Sequence, residues 1–216
     1  MIPDVYINDI SMLELGWIRE SIDFPIPKPQ LETVVVPGRN SPIRFTEALG
    51  LISYEPRVFS ITLSMLGTRD KFNALVRETS NQFSAKLVKV ICSEEPDLYC
   101  VGTLEIKSSY DSFVGRGELI IECNDADSYR YHAEETEVIV SGSKTVVLTN
   151  DYMPVVPVVI TTENTKLTWS IGTDSFSKVV SSGTWEISEL QLSKGNNSIT
   201  ITSSGITTFR YREGCL

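Results

Sequence analysis

The sequence has little of what enzymes most often use. Its 216 residues include one histidine, His132, so the commonest general base and metal ligand is available at a single position. It contains no Gly-x-Ser-x-Gly elbow, Walker loop, dinucleotide-binding fingerprint or His-Glu-x-x-His motif. We therefore expect no catalysis at His132 and predict that the protein is not an enzyme.

Cysteine is also scarce and irregularly placed. The four cysteines are Cys92, Cys100, Cys123 and Cys215, and no two of them form a Cys-x-x-Cys pair of the kind that binds zinc. Their number and spacing do not suit a disulfide framework. We interpret them as small buried hydrophobic residues and predict no metal and no cofactor.

Long apolar runs and basic clusters are missing as well. No stretch approaches the 18 or so residues of a membrane-spanning helix. Asp4, Asp9 and Glu14 precede any apolar stretch of signal-peptide length, so we expect synthesis in the cytoplasm without a signal peptide and without membrane insertion. A net charge of −9 disfavours specific nucleic-acid binding, because phosphate contacts require clustered lysine and arginine.

What is present is mostly strand alternation. From Arg57, the sequence RVFSITLSML places large apolar residues on one face and Ser60, Thr62 and Ser64 on the other, which predicts a half-buried strand. Three further stretches alternate in the same way: 86–92, 98–107 and 117–123. One helix is predicted over about 69–84, where Thr68 can cap it and apolar residues recur at helical spacing.

A proline-rich segment between Phe24 and Thr46 interrupts this pattern. Prolines fix φ and lack a backbone donor, so this segment cannot lie centrally in a regular sheet. It predicts an extended arm, or a hairpin with its turn at Pro37-Gly38-Arg39-Asn40. The triplet Val34-Val35-Val36 has few neighbours in its own chain to bury it. We predict an oligomer interface on the arm, formed by Val34, Val35, Val36, Pro37, Gly38, Arg39 and Arg44.

The alternation lapses over residues 124–137, where acidic residues collect, and this predicts two domains, 1–133 and 134–216. Beyond the lapse, seven short Val-, Ile- and Thr-rich stretches are separated by turn residues, without helical periodicity. Seven strands at roughly ten-residue spacing are typical of a β-sandwich. The predicted fold is thus mainly β with one short helix: a β-sandwich-like first domain with an extended arm, followed by a β-sandwich.

Two alternative functions rest on other residues. A small glycosidase would need two facing carboxylates, for which the pairs Glu94-Glu95 and Glu134-Glu135 are available; we interpret these as solvated turns. A carbohydrate-binding adhesin module would need exposed aromatic residues. We expect Trp169, Trp185 and Tyr211 to lie in the sandwich core instead, and exposure of these rings would favour the adhesin.

The order of these features resembles the distal tail protein (Dit) family of long-tailed phages of Gram-positive bacteria. In the first domain the resemblance rests on the arm with its Val-Pro-Gly-Arg turn at 36–39, on Tyr54-x-x-Arg57 opening the strand, on the short helix, and on the Pro-x-x-Tyr segment at 96–99 before a long hairpin. In the second domain it rests on Asn150-x-x-x-Pro154-x-x-Pro157-Val158 and on the ending Phe209 to Leu216.

This resemblance implies a structural role at the tip of a phage tail, in the virion baseplate. The first domain with its arm would form a ring, in this family a hexamer, around a channel through which DNA passes. The second domain would be a galectin-like sandwich. The implied partners are the tail tube protein, the tail-associated fibre or lysin protein and, in some members, receptor-binding proteins. The second domain, about 80 residues long, leaves no room for an inserted carbohydrate-binding module.

Overall fold

Two separate apolar cores organise the chain. The computed structural model describes residues 2–31, 33–44 and 52–216, with the side chains of Ile43 and Arg44 left undescribed. The first compact unit runs to Arg130, and the second comprises Tyr131–Cys215. Each unit has its own cluster of buried hydrophobic residues.

The first unit is a mainly antiparallel β structure with a helix packed on it. Its elements, in chain order, are β1 (Val5–Ile7), β2 (Ile10–Ser11), α1 (Met12–Leu15), β3 (Ile18–Asp23), β4 (Thr33–Val34), β5 (Ile43–Arg44), β6 (Arg57–Leu66), α2 (Arg69–Phe83), β7 (Leu87–Cys92), β8 (Leu98–Asp111) and β9 (Arg116–Ala126). The strands follow one another across the sheet in the order β2-β1-β7-β8-β9-β6-β3, and β4 pairs with β5 separately.

The core of this unit follows from the alternation along β6. Phe59, Ile61 and Leu63 are buried, whereas Thr62 between them is partly exposed. Helix α2 covers the buried side of the sheet, and Thr68 caps it, because the Thr68 hydroxyl accepts a hydrogen bond from Lys71 N at 3.4 Å. The predicted strands and the predicted long helix are confirmed, each within a few residues at its ends. The four-residue helix α1 was not predicted.

Glycine at position 117 is required by the packing of this helix. A Cβ built on Gly117 would lie 2.1 Å from Cδ2 of Phe72, a distance that no side chain tolerates. The absent side chain lets the Phe72 ring lie directly on β9. Edge strand β3 carries a β-bulge, since its pairing with β6 shifts register between Arg19 and Ser21.

The second unit is a β-sandwich. Its two sheets are formed by eight strands, β11 (Thr136–Ser141), β12 (Lys144–Asn150), β13 (Val158–Thr161), β14 (Thr165–Ile171), β15 (Asp174–Val180), β16 (Gly183–Glu186), β17 (Gly195–Thr202) and β18 (Ile206–Tyr211). Two short strands outside these sheets, β10 (Arg130–His132) and β19 (Gly214–Cys215), pair with each other. One sheet has the order β11-β18-β13-β16 and the other β12-β17-β14-β15. Residues from both sheets, among them Phe209 and Leu167, share one core, so the sheets face each other.

The mainly β fold is confirmed, but two details of the second unit differ from expectation. Strand β11 begins at the end of the predicted lapse in alternation and is not among the seven predicted strands, so the two sandwich sheets have one strand more than predicted. Trp185 was expected in the core and is 38% exposed, because β16 is a short edge strand whose residues are all exposed. Trp169 and Tyr211 are buried as expected.

Candidate assembly interface

The described residues of the proline-rich arm pair in antiparallel fashion at two places. At its base, Glu55 N donates to Lys28 O and Gln30 N donates to Ser53 O, both at 2.8 Å. Farther out, β4 pairs with β5, with Thr33 opposite Arg44 and Val34 opposite Ile43. A hairpin arm was one of the two forms expected. Residues 45 and 46, at the end of the predicted arm, lie outside the described part of the chain.

The turn of the arm lies one residue earlier than predicted. Arg39 N donates to Val36 O at 3.1 Å, which places Pro37 and Gly38 at the two central positions instead of Gly38 and Arg39. Gly38 has a φ of 82°. Proline at the first central position and a glycine of positive φ at the second suit a type II turn. The sequence contained this signal, but the Gly-Arg-Asn run obscured it.

The three valines of the arm are uncovered within the single chain. Val34, Val35 and Val36 are 50%, 78% and 37% exposed. Pro37, Gly38 and Arg39 at the turn are exposed too, and Arg44 is placed through its backbone pairing with Thr33. Except for Arg44, whose side chain is not described, the residues predicted to form an interface thus share one solvent-facing projection. That they contact another subunit stays a prediction.

A buried arginine holds the base of the arm. Arg57 is 2% exposed, and its guanidinium donates to Pro25 O at 2.6 Å and to Ser128 O at 3.2 Å. It also lies over the Phe24 ring, 5.3 Å from the centroid, while Phe24 stacks on Phe59 at 4.6 Å. The Tyr54-x-x-Arg57 pattern was noted in the sequence, but the role of Arg57 was missed, because its acceptors are carbonyls distant in sequence.

Strands β3 and β8 of the first unit each have an open edge among the described residues, in addition to the two-residue strand β2 at the other end of the strand order. Strand β3 pairs with β6 on one side only. Strand β8 pairs with β7 through residues 99–103 and with β9 from Leu104 onward, so its stretch Glu105–Asp111 has a strand on the β9 side alone. An open edge presents a row of backbone donors and acceptors to another strand. Periodicity alone could not reveal these edges, since it does not give strand order.

The solvent face of the sheet β8-β9-β6-β3 is acidic. Residues facing away from the core follow from the register of the buried ones, and Glu105, Glu122 and Asp23 lie in one row across the sheet with Ser60. The charged residues that the paired register places on this face are Asp23, Glu105, Lys107, Asp111, Arg116, Glu118 and Glu122. Lys107 pairs with Glu122 at 2.6 Å, and Arg116 pairs with Glu20. Carboxylates therefore outnumber cations here.

The histidine and the cysteines, the residues considered above for catalysis or metal binding, pack against other side chains of the protein. The His132 ring packs against Tyr152 with centroids 4.9 Å apart. Burial raises the pKa of Cys100 to about 12 and that of Cys123 to about 11, so both thiols are protonated at neutral pH. These two cysteines are buried as predicted, whereas Cys92 and Cys215 are half-buried.

Within the described part of the chain, neither a metal-binding group of side chains nor a membrane-spanning helix is found. In the ranges 2–31, 33–44 and 52–216, no group of three His, Cys, Asp or Glu side chains has metal-binding geometry. The same residues contain no helix long and apolar enough to cross a bilayer.

These features define a class of fold: a mainly β unit with a projecting arm and one covering helix, followed by a β-sandwich. The structure is similar along its whole length to the crystal structure of the SPP1 Dit (gp 19.1) protein, described as a paradigm of the hub adsorption apparatus in phages that infect Gram-positive bacteria. The TM-score is 0.70, with 100% of each chain covered and 11% sequence identity.

The resemblance to the Dit family is thus confirmed at the level of fold. No protein-family model and no curated protein sequence matches this chain.

Proposed function

We propose that this protein is a structural hub subunit at the tip of a phage tail and that it acts by assembly, without catalysis. The observation that carries the proposal is the likeness in fold, along both chains in full, to a hub protein of a phage adsorption apparatus. Three features of the first unit support this proposal. The open edges allow strand pairing between copies, the exposed arm offers an apolar contact between copies, and the acidic sheet face suits the wall of a channel.

The two open edges support a ring. In the first unit β3 runs antiparallel to β6, β6 to β9 and β9 to β8, so β3 and β8 run in opposite directions. When β3 of one copy lies beside residues 105–111 of β8 in the next, the antiparallel alternation continues from copy to copy. Such a contact joins two different surfaces, and it closes into a ring when the rotation between copies divides a full turn. We expect six copies, the number that the Dit resemblance implies.

The acidic face suits the inside of that ring. A closed sheet has one face toward its axis, and the face packed under α2 is unavailable. The face with Glu105, Glu118 and Glu122 would then line the channel. Like charge keeps a passing DNA from adhering to the wall, so the channel would conduct DNA without binding it.

The arm would extend the contact between copies. Its three exposed valines need apolar cover, and Arg57 fixes the direction in which the arm leaves the unit. The remaining partners follow from the Dit resemblance: a tail tube protein on one side of the ring, a fibre or lysin protein on the other, and a receptor-binding protein in some assemblies. The location would be the tail tip of the virion.

Light scattering and electron microscopy of the purified chain test the ring. We expect a closed cyclic particle of six copies at high protein concentration. Deleting residues 31–46 should leave a folded monomer, because it removes the valine triplet. A chain that stays monomeric at every concentration would contradict the hub, and an intact ring after the deletion would contradict the role of the arm alone.

One observation keeps a second function open. Trp185 is partly exposed on edge strand β16, with Nε1 donating to Ser181 O at 2.9 Å, so its ring is held in place and accessible. An accessible indole can stack on a sugar ring, as in a carbohydrate-binding adhesin. A glycan array separates the two functions. Binding that Trp185→Ala abolishes without unfolding the sandwich would favour the adhesin.

A further inference from the structure

The β8–β9 hairpin ends in an exposed phenylalanine. Phe113 is 100% exposed, whereas the other described phenylalanines are buried or half-buried. Val114 beside it is 62% exposed, and Leu66, at the same end of the sheet, is 68% exposed. Large apolar residues clustered at a projecting tip are typical of contact surfaces, and aromatic residues often dominate binding energy.

Hydrogen bonds within the chain hold this tip in one shape. The Asp111 carboxylate accepts from Phe113 N at 2.8 Å, and Gly115 N donates to Asp111 O at 2.9 Å. Gly67 N donates to Gly115 O at 2.9 Å, and the Tyr110 hydroxyl donates back to Gly67 O at 2.7 Å. A side chain presented from a fixed backbone loses little entropy on binding. Phe113 is therefore preorganised for a partner.

The open edges identify where that partner surface lies. β8 runs toward the tip, and β3 starts at the same end of the sheet, because Ile18 pairs with Ser64 near the end of β6. Antiparallel pairing of β3 from one copy with β8 from the next therefore brings the tip of one copy beside Ile18 of the other. Ile18 is itself 49% exposed, on the same face and at the same end as Leu66.

We propose that Phe113 and Val114 of one copy pack against Ile18 and Leu66 of the next copy and thereby lock the strand junction. This contact rests on the proposed ring and adds the residues that close it. The hairpin tip of one copy and the start of β3 in the next both carry exposed apolar side chains. Each of these two sites lies beside an open strand edge. A membrane is a poorer occupant, since the chain carries a net charge of −9 and the tip adjoins Asp111.

Replacing Phe113 by serine tests the lock. The side chain makes no buried contact in the single chain, so the monomer should keep its fold and circular dichroism spectrum. The dissociation constant of the ring, from light scattering over a dilution series, should rise at least about 30-fold if Phe113 is a hot spot. Val179→Ser is the matched control, because Val179 is 69% exposed in the second unit. It should leave the ring unchanged.

Cysteine cross-linking tests the geometry separately. In a background with Cys92→Ser and Cys215→Ser, the variants Ile18→Cys and Val114→Cys should form disulfide-linked dimers only when the two are mixed. Cross-linking of either variant with itself would overturn the proposal, as would a Phe113→Ser ring as stable as the parent. A parent chain that forms no ring would refute the proposed function, and the lock with it. A stable Phe113→Ser ring would refute only the lock.

Discussion

The sheet β8-β9-β6-β3 of the first unit and the sheet β12-β17-β14-β15 of the second are built alike, yet their solvent faces differ. The first is a four-strand part of a larger sheet and the second is a complete four-stranded sheet, and each consists of antiparallel strands with one side on a core. The first face carries five carboxylates and two cations. The second carries hydroxyls, two valines, one asparagine and a single lysine, with no carboxylate.

The residues of the second face are Thr145, Val147, Thr149, Lys166, Thr168, Ser170, Ser175, Ser177, Val179, Asn196, Ser198, Thr200 and Thr202. Two similar sheets can thus have different solvent surfaces through their outward-facing residues alone, since successive residues of a strand point to opposite faces. In the proposed hub, the acidic sheet would face DNA. The hydroxyl sheet has the low charge and short side chains that suit contact with protein.

The largest effect is expected at the anchor of the first sheet. Arg57→Ala should lower the free energy of unfolding by roughly 3 kcal/mol, because it leaves two carbonyls without their charged donor and removes the stack on Phe24. Hydrogen exchange should report lost protection in β6 and β9 and none in β14. Arg39→Ala, at the exposed turn, should leave the free energy of unfolding of the single chain unchanged. Equal losses in both units would show that the two sheets are not independent.

The covered sides of the two sheets can be compared through Gly117. Gly117→Ala should destabilise the first unit by about 2 kcal/mol, since the new methyl group forces the Phe72 ring off β9. Chemical denaturation followed by circular dichroism measures the change. Ser198→Ala, on the solvent side of the second sheet, is the control. A wild-type midpoint for Gly117→Ala would mean that α2 does not pack on β9 as described.

Charge reversal addresses the solvent faces directly. Glu118→Lys with Glu122→Lys changes the acidic face by four charges, and the ring should then retain double-stranded DNA with an affinity that falls at least about tenfold between 50 and 200 mM salt. Lysines at positions 168, 177, 198 and 200 add the same charge to the hydroxyl face. Gel-shift assays should show weaker retention for that variant. Equal retention would contradict an inward-facing acidic sheet.

The smallest effect is expected from the hydroxyl face itself. Thr145 and Thr200 share a side-chain hydrogen bond of 3.0 Å across β12 and β17. Because both are exposed to water, Thr200→Val should alter the stability of the sandwich by no more than about 0.5 kcal/mol. Thermal denaturation measures it. A loss of several kcal/mol would indicate that this face is covered and not solvated.

The sequence predicted what depends on local pattern. Alternation gave β6 its observed bounds, and Thr68 with the apolar spacing after it gave α2 to within a residue. Strand order lies beyond local pattern, because long-range pairing decides it. For this reason the open edges of β3 and β8, the shared acidic face and the exposure of Trp185 on an edge strand could not be foreseen. The arm was foreseen because prolines act locally, but its anchor Arg57 was not.

The bulge between Arg19 and Ser21 has a consequence for the size of the assembly. It lies in β3, one of the two edges by which copies would join, and a bulge bends its strand and increases its twist. The bend would help to set the rotation from each copy to the next. A rotation that divides a full turn gives a closed ring, and any other gives an open helical filament. Deleting Glu20 would remove the bulge and straighten that edge. A single residue would thus influence the curvature of the whole particle.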